Sequence, residues 1–150
     1  MQAAAEALIA ATPALAADRD LLVSISGIGA QTASTVLAEL PALDRVPSAQ
    51  AAAAYAGLSP REFRSGSSVR GRTRLSKSGN ARLRKALDLP TLTAIRFNPV
   101  LKGFFDRLVA AGKPKMQAVG ACLRKLVMLC YGVLKNRQPF DPHGASKKVP

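Results

Sequence analysis

Serine hydroxyls set among arginines are the grouping in this sequence that most suggests covalent chemistry. Ser65-Gly66-Ser67-Ser68 is flanked by Arg61 and Arg64 on one side and by Arg70, Arg72, Arg74 and Lys77 on the other. A serine hydroxyl is a weak nucleophile at neutral pH and needs a base, a metal or dense positive charge beside it. A phosphoryl transition state, in turn, needs Arg or Lys on its non-bridging oxygens. The charge is present here. On the residues alone, serines in such a loop serve more often as linker than as nucleophile, and both readings stand open. Other schemes have less support: His143 is the single histidine and lies near the end of the chain, so a Ser-His-Asp relay has no basis. The nine acids are scattered without ligand spacing, so no metal site is expected in these residues, and a Gly-rich ATP loop is missing too.

Two further groupings suit phosphate. Gly79-Asn80 opens a basic run with Arg82 and Arg84, the pattern of a helix start that presents backbone N–H groups to an anion, with Lys77 nearby. Its alternative is a solvated charged face. Ser26-Gly27-Ile28-Gly29 precedes a helical run from Ala30, and the two glycines permit a tight turn that leaves the first amides of that helix facing outward. The pattern resembles a helix-hairpin-helix signature, with Ser26 where proline is usual. Its alternative is an ordinary packing turn.

Charge is divided unevenly. Residues 1–60 hold two basic and five acidic side chains, and residues 61–150 hold twenty and four. The later half is therefore expected to attract a polyanion, and nucleic acid fits better than a membrane, since no amphipathic basic helix with bulky anchors and no run of some 18 apolar residues is apparent. The first residues lack the positive start of a secretory signal, and Cys122 and Cys130 are too few for a typical zinc site. A reducing, cytoplasmic setting with both thiols buried in helices is expected.

The elements that must position these residues read as helices. Ala-rich sequence predicts helix from Met1 to Ala11 and from Ala14 to about Val23, then Ala30 to Leu40, stopped by Pro41. Ser48 is placed to cap Ala49–Ala56, with Gly57 as its left-handed terminator. From Leu58 to Ser78 the periodicity fails, which predicts a long loop with room for a small β-hairpin. Helix resumes at Ala81 through Leu83, Ala86 and Leu87, and after a kink at Pro90 through Leu92 and Ile95. Asn98-Pro99 starts Val100–Ala111, and Pro114 opens a helix to about Leu134 whose wide apolar stripe marks the centre of the core. The fold class expected is all-α, with a helical segment at 1–19, a main domain at 20–135 and a flexible basic tail at 136–150.

In order along the chain, Ser24-Ile25-Ser26-Gly27-Ile28-Gly29 with Thr32-Ala33, Ala53-Ala54-Tyr55-Ala56-Gly57-Leu58-Ser59-Pro60, Ser65-Gly66, Leu75-Ser76-Lys77-Ser78-Gly79-Asn80 with Leu83-Arg84, and Arg124-Lys125-Leu126 resemble one family. It is the C-terminal domain of insertion-sequence transposases related to Piv-type DNA invertases. The resemblance implies DNA as partner, a structured guide RNA in some members, and a homo-oligomer. It also implies a RuvC-like domain elsewhere in the full protein, whose acids bind Mg, so that these residues alone would hold no cofactor and would not cut DNA unaided. The family's serine nucleophile falls on Ser65, with Ser67 and Ser68 as alternatives because the loop can be aligned in more than one register. A nucleoid-associated bacterial protein is implied. The alternative is a non-catalytic binding and oligomerisation module.

Overall fold

A computed structural model describes residues 13–41, 43–58 and 80–142. Among these residues the secondary structure is entirely helical, and the chain is all-α as expected. Helix α1 spans Pro13–Val23 and α2 Ala30–Glu39; a 3-10 turn at Leu43–Arg45 leads to α3, Ala49–Tyr55. Beyond residue 79 come α4, Ala81–Ala86; α5, Asp88–Phe97; α6, Pro99–Ala110; and α7, Lys115–Asn136. The loop predicted from Leu58 onward, with its room for a β-hairpin, falls on residues 59–79, outside the described residues.

Local chemistry sets the helix limits. Ser48 accepts a hydrogen bond from the Ala51 amide, Asn80 from Leu83, and Asn98 from Val100 and Leu101, each side chain satisfying amides that the helix leaves open. Helix α3 stops at Gly57, whose φ of +80° lets Leu58 N–H reach back to Ala53 C=O at 2.9 Å and Gly57 N–H to Ala54 C=O at 2.9 Å.

The break between α4 and α5 falls at Leu87, three residues before the kink expected at Pro90. Proline has no N–H for the carbonyl of Ala86 and its ring crowds that carbonyl, so the helix is interrupted where the bond would have been. Leu87 N–H bonds Arg84 C=O instead, at 3.1 Å. The interruption resets the helical phase. Thr91 and Ala94 become the buried positions of α5, while Leu89 and Leu92, the latter expected in the apolar stripe, are 74% and 47% exposed.

Helix α7 is the centre of the core. It packs against α1, α3, α5, α6 and the 3-10 turn, and Cys122, Leu126, Val127, Cys130 and Leu134 are all buried on it. Tyr131 donates its hydroxyl proton to Val46 C=O at 2.8 Å, tying the segment between α2 and α3 to this helix. By length and composition α7 could also span a bilayer, which the sequence reading had not registered. Its apolar stripe is instead covered by the surrounding helices, as in the core helix of a globular domain. Both cysteines are buried there as free thiols, as expected. Beyond α7, Arg137 forms an ion pair with Asp18 of α1, and the Phe140 amide donates to Ser24 Oγ at 2.7 Å.

Candidate nucleic-acid interface

Of the residues singled out in the sequence, Arg61, Arg64, Ser65, Ser67, Ser68, Arg70, Arg72, Arg74 and Lys77 lie outside the described residues. Gly27, Gly29, Asn80, Arg82 and Arg84 are described, and they gather at opposite ends of one helix. The ten residues of α2 separate the two groups by about 15 Å.

At the N-terminal end, α1 and α2 pack together across the turn 24–29. Ile25 and Ile28 point into the core and are buried. The two glycines between and after them differ. Gly27 has φ +110°, and a Cβ built on it would stand 2.7 Å from Cβ of Ala94 on α5. Its lack of a side chain is what admits α5. Gly29, the N-cap of α2, has extended backbone and open space where a Cβ would be. Among the described residues no side chain caps α2, so its first-turn amides face outward at the positive end of the helix dipole. The turn is locked from below by Asn98, fully buried, whose Nδ2 donates to Ser26 C=O at 3.2 Å while Oδ1 caps α6. Asn98 was legible only as a cap; its reach across 72 residues has no local signal.

At the C-terminal end of α2, Asn80 does comparable work. Its Oδ1 accepts from Leu83 N–H at 3.0 Å, and its Nδ2 donates to Glu39 Oε1 at 3.0 Å, with Glu39 C=O and Tyr55 Oη at 3.4 and 3.3 Å. Its own amide donates to Tyr55 C=O at 2.7 Å. The chain therefore leaves α3 after Leu58 and returns at Asn80 to within one hydrogen bond of where it left. Leu58 and Asn80, the described residues on either side of 59–79, thus stand on a single base built from the ends of α2, α3 and α4.

Arg84 is part of that base. Its Nη1 donates to Ala56 C=O at 2.9 Å, closing the end of α3. Arg82 projects outward, 83% exposed at the side chain, with a loose pair to Glu39 at 3.8 Å. Thus Arg82 offers its charge to solvent, while the polar groups of Asn80 and Arg84 are engaged within the protein. Glu39 and Tyr55, which complete the base, were not singled out in the sequence. A lone carboxylate at a helix end and a tyrosine seven residues after an N-cap carry no pattern that marks them.

Among the described residues no group of His, Cys, Asp or Glu is arranged to hold a metal ion. The cysteines are placed for packing. Burial pushes the Cys122 thiol up to about 11, with the charge of Lys125 partly offsetting it, and burial alone pushes Cys130 to about 12. Neither is a thiolate near neutral pH.

The described residues thus form an all-α unit with an uncapped helix start at one end of α2 and, at the other, a polar base on which Leu58 and Asn80 meet. Comparison with known proteins identifies the family of this unit. The profile of the transposase IS116/IS110/IS902 family matches residues 19–106, from within α1 to within α6, and the chain belongs to that family. It is 36% identical over 135 residues to the pilin gene-inverting protein of Moraxella bovis, a match covering 89% of this chain and 42% of that protein. The pilin gene-inverting protein of Moraxella lacunata matches to the same extent. An IS110 insertion-element protein of Streptomyces coelicolor is 29% identical over 116 residues, covering 77% of this chain and 28% of its own length. The chain thus spans less than half the length of the curated relatives it matches. The family resemblance drawn from the sequence is upheld.

Proposed function

We propose that this chain is the DNA-handling part of a recombinase of a mobile insertion element, and that it carries the serine nucleophile for strand transfer. DNA is engaged at two places: the α1–turn–α2 unit, acting as a helix-hairpin-helix with phosphate on the amides after Gly29, and the basic segment Arg61 to Lys77 with Arg82. In the longer protein Ser65 Oγ attacks a phosphodiester; the Oγ–P bond forms as the P–O bond to one deoxyribose breaks, and the serine proton passes to a base. Arg64, Arg70 or Lys77 offsets the developing charge. Ser67 and Ser68 are the alternative nucleophiles. Mg-binding acids belong to a separate RuvC-like part of the longer protein, a structured guide RNA is a second polyanionic partner, and the working assembly is a homo-oligomer.

The observation that carries this reading is the closed base at Tyr55 and Asn80. It supports a segment rich in serine and arginine, in a chain whose relatives from Moraxella are named for inverting a gene. Two measurements test it. Labelled duplex DNA should bind the chain with an affinity that falls steeply as salt rises. Grafted in place of the matching part of the Moraxella bovis protein, the chain should form a covalent protein–DNA adduct on a labelled recombination site, and Ser65→Ala should abolish it. An adduct that survives in Ser65→Ala moves the nucleophile elsewhere; if it also survives Ser67→Ala and Ser68→Ala, the chain is a binding and assembly module without chemistry.

A further inference from the structure

Helices α6 and α7 carry positive charge of their own, outside both ends of α2. From Pro99 to Asn136 there are seven Lys and Arg side chains and one carboxylate, Asp106. Asp106 is already matched to Lys102, one turn away at 3.8 Å. Two of the remaining cations converge on one ring. Arg107 Cζ lies 5.5 Å from the centroid of Phe104, and Lys125 Nζ lies 5.1 Å from the same centroid.

A phenyl face attracts a cation through its quadrupole but carries no net charge, so it positions the two side chains without neutralising them. Like charges brought together on a neutral platform repel each other and are relieved when an anion arrives. Arg124, next to Lys125, adds a third charge on the same turn of α7, and its Nε is shielded from solvent with no hydrogen-bond partner among the described residues. Arg107 is exposed and Lys125 is half-buried, so the pair is held at the surface of the α6–α7 seam.

We infer that Arg107 and Lys125, held on Phe104, form a separate contact for the phosphodiester backbone, on a face built from α6 and α7 and independent of the segment 59–79. The contact positions a strand without reading its bases. This inference rests on the nucleic-acid reading above and extends it to a surface outside both ends of α2. Duplex DNA and single-stranded RNA present the same phosphodiester, and the probes below distinguish them.

The test is the salt dependence of binding, measured by fluorescence anisotropy with a labelled random-sequence duplex and a labelled single-stranded RNA. Arg107→Gln with Lys125→Gln should lower the slope of log K against log salt by about 1.8 on the duplex, or about 1.4 on the RNA. The probe that responds names the strand the face contacts. Lys125→Arg, which keeps the charge, should restore part of the slope, and Lys102→Gln, which removes a cation already paired with Asp106, should leave it unchanged. Each single variant should lose about half of the effect, and circular dichroism melting reports whether the fold is retained. Slopes unchanged on both probes, in folded protein whose wild type shows steep salt dependence, overturn this contact and leave the general reading intact. A wild type that binds neither probe overturns both.

Discussion

The two ends of α2 are fastened by the same device used in different surroundings. At each end an asparagine caps a following helix with Oδ1 and reaches across the fold with Nδ2, Asn98 to Ser26 and Asn80 to Glu39. Asn98 is sealed in the core beneath a turn of neutral residues. Asn80 is half-buried at the foot of the basic segment, with a carboxylate, a tyrosine hydroxyl and two arginines around it. The difference teaches where this fold spends rigidity. The N-terminal end is locked by packing and tolerates little; the C-terminal end is held by polar groups within reach of water, where exchange with a ligand costs less.

The sharpest way to break that contrast is at the glycines. Gly27→Ala sets a Cβ against Ala94 at a positive φ, and should cost about 2–4 kcal/mol in urea denaturation. Gly29→Ala meets nothing, and should cost at most about 1 kcal/mol while weakening any anion bound at the α2 amides. Similar losses for both would mean that the turn is not gripped by α5. Next in size is Asn98→Ala, which removes a buried cap and leaves Ser26 C=O without its donor; about 2 kcal/mol is expected. Asn80→Ala removes equivalent bonds where water can replace part of them, and about 1 kcal/mol is expected. If Asn80→Ala proves the more damaging to stability, the ranking of the two ends is reversed.

A further effect, confined to alkaline pH, lies in the core beneath both ends. Burial keeps Cys122 and Cys130 protonated in the folded state to about 11 and 12, above the ordinary thiol value of 9.0. Because the unfolded chain gives up those protons first, stability is full below pH ~9 and declines as pH rises through the folded values. Melting temperature should therefore fall between pH 9 and 11 by more than in Cys122→Ala/Cys130→Ala, and neither thiol should react with iodoacetamide in the native protein at pH 8.

What the sequence made legible was local. Ser48 and Asn98 cap the helices they precede, a helix starts at Asn80, and the stripe on α7 marks the core, because capping and helical spacing act within a few residues. What it hid was long-range or phase-dependent. Asn80 reaches Glu39 across 41 residues, and Tyr131 reaches Val46 across 85; nothing in the neighbouring sequence encodes either partner. The exposure of Leu89 and Leu92 follows from a helix break set at Leu87 by a proline three positions later, which shifts every side chain after it. The candidate site divides the same way. Its charge is visible in the composition, while Glu39, Tyr55 and the pairing of Arg107 with Lys125 over one ring depend on helices meeting in space.

The contacts of Arg137 and Phe140 with Asp18 and Ser24 lay the chain that leaves α7 along α1, toward the turn at 24–29. Ser24 is thus tied from outside by Phe140 while Ser26 is tied from within by Asn98, so the approach to α2 is clamped from two sides by segments far apart in the chain.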